Sequence, residues 1–182
     1  MGLITRKPAV LVLEDGSVFE GFSLGKIGVA TGEICYNTGM TGYQEIYTDP
    51  SYFGQIIINT SSHIGNYGTV EDEQESSSPQ ISGVIINEYS EIYSRSNSDE
   101  SLEDYFIKNN TVAIYDIDTR KLVKYIRDKG AMNAIISSES QDVEKLKSSL
   151  DKVPSMKNLE LSSKVTTEKE YEFGDKNSKI KI

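Results

Sequence analysis

The sequence predicts an α/β fold: a three-layer β/β/α domain with a central parallel sheet, a second antiparallel sheet on one face and helices on the other. Three observations support this prediction. The first half of the chain alternates short apolar runs with polar turns, which is typical of strands. The second half follows the order helix–strand–helix–strand–helix, which favours a parallel sheet with helices on one face. An early hairpin supplies the second sheet.

The strands of the first half are indicated by short apolar runs. Residues 9–13 are continuously apolar, and an Asp-Gly turn separates them from an alternating run at 17–21, which predicts a hairpin. We interpret the first run as a strand and not as a signal peptide, because it leads directly into the charged turn. The remaining predicted strands of this half are 33–37, 55–60 and 81–86.

Capping residues mark the helices of the second half. Ser98 predicts a helix start because two acidic residues follow it. Asp118 predicts a second helix start, and Gly130 predicts the end of that helix. The remaining predicted elements are strands at 112–115 and 134–136 and a helix at 141–152.

The chain divides at Pro154. Residues 1–153 carry the periodic pattern of one domain. Residues 157–179 are rich in Lys, Glu, Ser and Asn with little periodicity, which predicts that 154–182 begins with a linker. The alternating residues 179–182 predict the first strand of a further domain that the sequence does not complete.

Composition excludes several classes of function. The net charge of −9 is incompatible with a nucleic-acid partner, which requires a basic surface. No apolar run approaches the ~20 residues that cross a bilayer, so no membrane segment is predicted. A single cysteine excludes an internal disulfide and fits a reducing cytoplasm.

Several stretches resemble one protein family. They are N-T-G-M-T-G-Y-Q-E at 37–45 with T-D-P-S-Y at 48–52, H-I-G-N-Y-G at 63–68, D-I-D-T-R-K-L at 116–122, and the start of the hairpin at 11–16. The block at 37–52 is too long and unusual for chance. Over about residues 9–152 the sequence is similar to the small chain of carbamoyl phosphate synthetase.

The resemblance implies a function for the complete protein. In this family the small chain hydrolyses glutamine, and ammonia passes to a large chain that makes carbamoyl phosphate for pyrimidine and arginine synthesis. ATP and Mg are expected on that large chain, and no cofactor on this one. The implied partners are the large chain, L-glutamine and a C-terminal class I amidotransferase domain with a Cys–His–Glu triad. The sequence ends where that domain should begin, so we expect no catalytic residue here.

Ser51 is the candidate substrate-binding residue. Taken alone, the T-D-P-S-Y stretch favours a local turn in which Asp49 or Ser51 bonds nearby backbone. The resemblance implies instead that Ser51 lies near the glutamine pocket and helps to bind substrate from the neighbouring domain. Pro50 restricts the preceding backbone, and a hydroxyl can both donate and accept.

Cys35 and His63 are the only thiol and imidazole. Cys35 lies within an apolar strand without a glycine elbow, so a buried structural thiol is predicted and not a nucleophile. One cysteine and one histidine are too few for a metal site.

Other polar or glycine-rich stretches also have structural interpretations. Asp118 and Arg120 predict a capped helix start with an arginine ion pair, not an anion site. The glycines at 25, 28 and 32 lack the Gly-Lys ending of a phosphate loop, and residues 66–68 predict a tight turn.

A second function remains open at this point. The same fold could serve as a stand-alone acidic protein-binding adaptor without glutamine chemistry. The coding sequence downstream distinguishes the two, since a glycine-flanked cysteine with a later histidine and glutamate would indicate the enzyme subunit.

Overall fold

A closed barrel of seven strands forms the centre of the structure, a computed structural model that describes residues 6–171 and residue 174. The strands are β1 Pro8–Leu13, β2 Val18–Gly25, β3 Val29–Asn37, β4 Ile56–Asn59, β5 His63–Ile64, β6 Gly83–Ile85, β7 Glu88–Tyr89, β8 Val112–Tyr115 and β9 Asn133–Ser137. The α-helices are α1 Tyr43–Thr48, α2 Leu102–Lys108, α3 Thr119–Lys129, α4 Val143–Leu150 and α5 Ser162–Val165, and two 3₁₀ turns span Pro50–Tyr52 and Glu71–Glu73.

The barrel mixes parallel and antiparallel pairs in the order β1-β2-β8-β6-β4-β3-β9. Strands β3, β4, β6 and β8 run parallel to one another. Strand β9 pairs antiparallel with both β1 and β3, and so closes the sheet. The short strands β5 and β7 form a separate parallel pair outside the barrel.

The predicted three-layer arrangement is therefore wrong. The early hairpin and the parallel strands do not form two sheets, because β2 pairs with β8 and β1 pairs with β9. The helix–strand alternation of the second half suggested that its strands were all parallel, yet β9 is antiparallel to both of its neighbours. Local periodicity specifies a strand but not its partner, which long-range contacts select.

Residues alternate between two buried faces along the barrel strands. The interior holds Leu11 and Leu13 of β1 together with apolar residues from the other strands, and α3 adds Leu122 and Ile126 to this core. Outward-facing Val10 and Val12 are covered by α4. Helices α1 and α2 cover the outer faces of β4, β6 and β8, and their contact layer is rich in tyrosine. Burial on both faces explains why these strands are continuously apolar.

Most of the individual elements agree with the sequence predictions. The hairpin is present as β1 and β2, and the strands and helices predicted between residues 33 and 152 occur with ends shifted by a few residues. The helix predicted to start at Ser98 begins later, with Ser101 as its N-cap accepting from Asp104 N at 3.1 Å. The backbone of residues 99 and 100 instead bonds Thr69.

Beyond Val153 the described chain lies mostly on the surface, and it contains the one-turn helix α5. The division into 1–153 and 154–182 stays a prediction. The strand predicted at 179–182 lies outside the described residues. The longest helix within residues 6–171 has 11 residues, and no helix there is long and apolar enough to cross a membrane.

Candidate functional site

Ser51 lies in a tight 3₁₀ turn between α1 and β4, which we call the Ser51 turn (Pro50–Tyr52). Asp49 begins this turn, and its Oδ1 accepts a hydrogen bond from Ser51 N at 2.8 Å. The backbone closes it, since Tyr52 N donates to Asp49 O and Phe53 N to Pro50 O, both at 3.1 Å. Proline at the first position fits because its fixed φ suits a helical start.

The hydroxyl of Ser51 is not used by this turn. Asp49 already caps the backbone, as the turn interpretation allowed, and Ser51 is exposed. Within residues 6–171 no hydrogen-bond partner lies within reach of the Ser51 hydroxyl. The side chain is therefore available to a ligand or to another polypeptide.

Asn37 connects the Ser51 turn to the end of β3. Its Nδ2 donates to Tyr52 Oη at 3.0 Å, and its Oδ1 accepts from Gly39 N at 2.7 Å. A single side chain thus fixes both the Ser51 turn and the loop 38–42 that leads into α1. The two halves of the sequence block at 37–52 are held together by this residue.

The start of α1 is capped by a residue distant in sequence. Gly42, at the N-cap position, has φ 79° and provides no capping side chain. Instead Tyr67 Oη accepts from Gly42 N at 2.8 Å and from Tyr43 N at 3.1 Å. The Tyr67 and Tyr43 rings stack with centroids 4.2 Å apart, and the Arg95 guanidinium lies 5.3 Å from the Tyr67 ring centre.

The predicted tight turn at 66–68 is present, with Gly68 N donating to Gly65 O. The capping role of Tyr67 was missed by the sequence reasoning. The co-occurrence of N-T-G-M-T-G-Y and H-I-G-N-Y-G was the only signal available for it.

Other polar residues of the block at 37–52 are satisfied inside the domain. The side chain of Gln44 is buried and exchanges two 2.8 Å hydrogen bonds with the backbone of Val70. The Thr48 hydroxyl accepts from Glu75 N at 2.9 Å. What the block presents to solvent is the Ser51 hydroxyl and the loop residues 38–41, where Met40 is 83% exposed.

Cys35 and His63 do not form a catalytic pair. The Cys35 thiol donates to Gln55 Oε1 at 3.5 Å, and burial raises its pKa to about 12, which disfavours the thiolate. His63 is exposed, with Nδ1 lying 3.3 Å from Glu88 Oε2. Within the described part of the chain no group of three His, Cys, Asp or Glu residues could hold a metal ion.

The remaining sequence candidates have structural roles. Asp118 caps α3 as predicted, accepting from Lys121 N at 2.9 Å. The predicted ion pair of Arg120 is not observed between residues 6 and 171. Gly25 ends β2, Gly28 lies in the β2–β3 connection and Gly32 lies within β3, so this glycine-rich stretch joins two strands and not a strand and a helix.

Three surface grooves are lined by other residues. A groove of about 440 Å³ lies between the β1–β2 hairpin and the start of α4, and grooves of about 430 and 210 Å³ lie near α3 and α2. Ser51 lines none of the three. An exposed hydroxyl outside a groove can bind a small ligand strongly only if another surface encloses that ligand.

The fold and this surface define a class of protein: within residues 6–171 it is a mixed seven-stranded barrel domain that presents the Ser51 hydroxyl on a fixed surface turn. Comparison with known families makes this specific. The family described as carbamoyl-phosphate synthase small chain, CPSase domain, matches residues 11–136. The chain belongs to this family.

Curated relatives carry the same name. Carbamoyl phosphate synthase small chains from Synechococcus sp. and Aquifex aeolicus are each 46% identical to the chain, covering 95% and 91% of it. The corresponding protein of Chlorobaculum tepidum is 44% identical over 96% of the chain. The chain matches the N-terminal part of these relatives and spans less than half of their length, 44–48%.

Among solved structures, an aminopeptidase from Aneurinibacillus sp. strain AM-1 and a peptidase M28 precursor from Shewanella amazonensis match with TM-scores of 0.40 and 0.41 at 15% and 9% identity.

Proposed function

We propose that this domain is the non-catalytic part of a glutamine-hydrolysing small chain and that Ser51 contributes to its glutamine pocket. The single observation that carries the proposal is the state of Ser51. Its backbone is fixed by Asp49, and its exposed hydroxyl has no partner within residues 6–171. The glutaminase nucleophile and base belong to a further domain of the longer relatives, which encloses the substrate.

We propose the wider reaction that the resemblance implies for the complete protein. Ammonia released from glutamine passes to a large chain, which uses ATP and bicarbonate to form carbamoyl phosphate for pyrimidine and arginine synthesis. We also infer a cytoplasmic location, because the one cysteine is a free thiol, as is usual in proteins of a reducing compartment.

The decisive experiment replaces Ser51 in the full-length small chain assembled with its large chain. One lost hydrogen bond costs ~0.5–1.5 kcal/mol, so Ser51→Ala is expected to raise the KM for glutamine roughly three- to tenfold. Synthesis from free ammonia should be unchanged, because ammonia bypasses the glutamine pocket. Ser148→Ala, which changes an exposed serine of α4, is the matched control.

The outcomes separate the proposal from its alternatives. An equal loss of glutamine- and ammonia-dependent synthesis would indicate damaged docking on the large chain. An unchanged glutamine KM would return Ser51 to the status of a turn residue and refute its role in binding.

A second test addresses catalysis by the domain alone. The high pKa of Cys35 and the different partners of the thiol and the one imidazole, Gln55 and Glu88, predict no release of ammonia from glutamine by the isolated chain. Turnover that disappears in Cys35→Ala would contradict this prediction and make Cys35 the nucleophile.

A further inference from the structure

We propose that Asp49 and the Asn37–Tyr52 pair are positioning residues that hold the Ser51 hydroxyl at the glutamine site. This inference rests on the proposed function of Ser51. It assigns to these residues an effect on glutamine use that is exerted through Ser51 and not by contact with substrate.

The first support is the cap. Asp49 Oδ1 holds Ser51 N at 2.8 Å, so the backbone that carries the hydroxyl is fixed by a charge-assisted hydrogen bond. The half-buried Asp49 is the only side chain that bonds the backbone of the Ser51 turn within residues 6–171. Without this acceptor the Ser51 amide would have to bond water, and the turn would lose its fixed start.

The second support is the anchor to the barrel. Tyr52 follows Ser51 directly, and its hydroxyl accepts from Asn37 Nδ2 at 3.0 Å. Asn37 is the last residue of β3 and pairs with Asn59 of β4 in the parallel ladder. The Ser51 turn is thereby attached to two barrel strands. A rigid attachment is needed because a group that binds substrate must be held within about half an ångström of its productive position.

The pattern of side-chain use argues against a merely local role. A turn on the surface is stable with its own backbone bonds, and this one has three: from Tyr52 N, Phe53 N and Gln55 N. Asp49 and the Asn37–Tyr52 pair add two contacts to the residues on either side of the free hydroxyl. These two side-chain contacts fix the position of Ser51 more firmly than the three backbone hydrogen bonds of the turn would do alone.

The test is a double-mutant cycle in the full-length small chain with its large chain. Asp49→Ala and Tyr52→Phe should each raise the glutamine KM by roughly two- to tenfold, with little change in kcat and in ammonia-dependent synthesis. In the Ser51→Ala background the same changes should have no further effect on KM, because they act through the lost hydroxyl.

Conservative and matched variants complete the design. Asp49→Asn keeps an oxygen acceptor for Ser51 N and should restore a glutamine KM within about twofold of the parent. Asp118→Ala removes an N-cap carboxylate from α3 and should leave the glutamine KM unchanged. Thermal unfolding of each variant measures the stability lost with each cap and shows whether the Asp49 and Asp118 losses are of similar size.

Three results would overturn the proposal. If Ser51→Ala raises KM but Asp49→Ala and Tyr52→Phe do not, the positioning role is wrong while the role of Ser51 stands. If Asp49→Asn is as impaired as Asp49→Ala, the carboxylate charge matters and not the cap. If Ser51→Ala itself has no effect, the proposed function fails and the positioning role fails with it.

Discussion

The cap that Tyr67 places on α1 gives the sharpest prediction about stability. Tyr67→Phe removes one hydroxyl and leaves the ring, so the stack on Tyr43 at 4.2 Å can persist. Two backbone donors lose their acceptor, Gly42 N at 2.8 Å and Tyr43 N at 3.1 Å. Burial raises the pKa of the Tyr67 hydroxyl, so the group that is removed is neutral.

The expected loss follows from the burial of these donors. An unsatisfied buried donor costs ~1–3 kcal/mol. Tyr43 is 2% exposed and pays this cost, whereas Gly42 is half-buried and water can partly replace its acceptor. We therefore expect a decrease of about 2–3 kcal/mol in the free energy of unfolding, which corresponds to a Tm lower by roughly 4–12 °C.

Urea unfolding of the chain, followed by circular dichroism, measures this change. Tyr93→Phe is the matched control, because Tyr93 is 37% exposed and its hydroxyl has no partner within residues 6–171. A Tyr67→Phe chain as stable as the Tyr93→Phe chain would refute the capping role. A decrease in the m-value would indicate a change in the unfolded state instead.

Three further predictions concern other parts of the domain. The Tyr125 hydroxyl donates to Asp15 Oδ2 at 2.5 Å and lowers the pKa of that carboxyl. The bond therefore stabilises the fold at pH values above the pKa of Asp15 in the unfolded chain, and this stabilisation is lost as pH falls through the lower pKa of Asp15 in the folded chain. Tyr125→Phe should thus destabilise at pH 7 with a deficit that shrinks below about pH 4; a deficit independent of pH would contradict this. Cys35, with a pKa of about 12, should react with iodoacetamide at pH 8 at least about a hundredfold more slowly than in urea-unfolded chain. A native rate within tenfold of the unfolded rate would exclude that pKa. Trypsin should cut first after the exposed Lys157 and Lys164 and leave a fragment that retains residues 6–153; earlier cuts inside that range would contradict it.

Much of the local structure could be predicted from the sequence. The apolar run at 9–13 and its Asp-Gly turn indicate the β1–β2 hairpin, and Asp118 and Gly130 indicate the two ends of α3. These signals are local, because a cap bonds an amide three residues away and a turn joins neighbouring strands. The start of α2 was misplaced because the serines at 98 and 101 carry similar signals, and the two residues after Ser98 bond the backbone of Thr69 and do not begin a helix.

The candidate site was only partly accessible from the sequence. Ser51 could be singled out by the family resemblance, and its role remains a prediction. The contacts around Ser51 could be seen only in the tertiary structure, because they join residues far apart in the sequence. Asn37 bonds Tyr52, on the other side of α1 in the sequence, and Tyr67 bonds Gly42, 25 residues away. No local pattern encodes an acceptor at that distance.

The sequence by itself determined most strands of the barrel, the helices α3 and α4 with the two ends of α3, and the family to which the block at 37–52 points. Only the tertiary structure decided that β9 inserts between β1 and β3 and closes one barrel in place of two sheets. The strands β1 and β9 are separated by more than a hundred residues, and both of their faces are apolar. A strand buried on both faces has no polar side to indicate its position, so packing of the whole chain selects its neighbours.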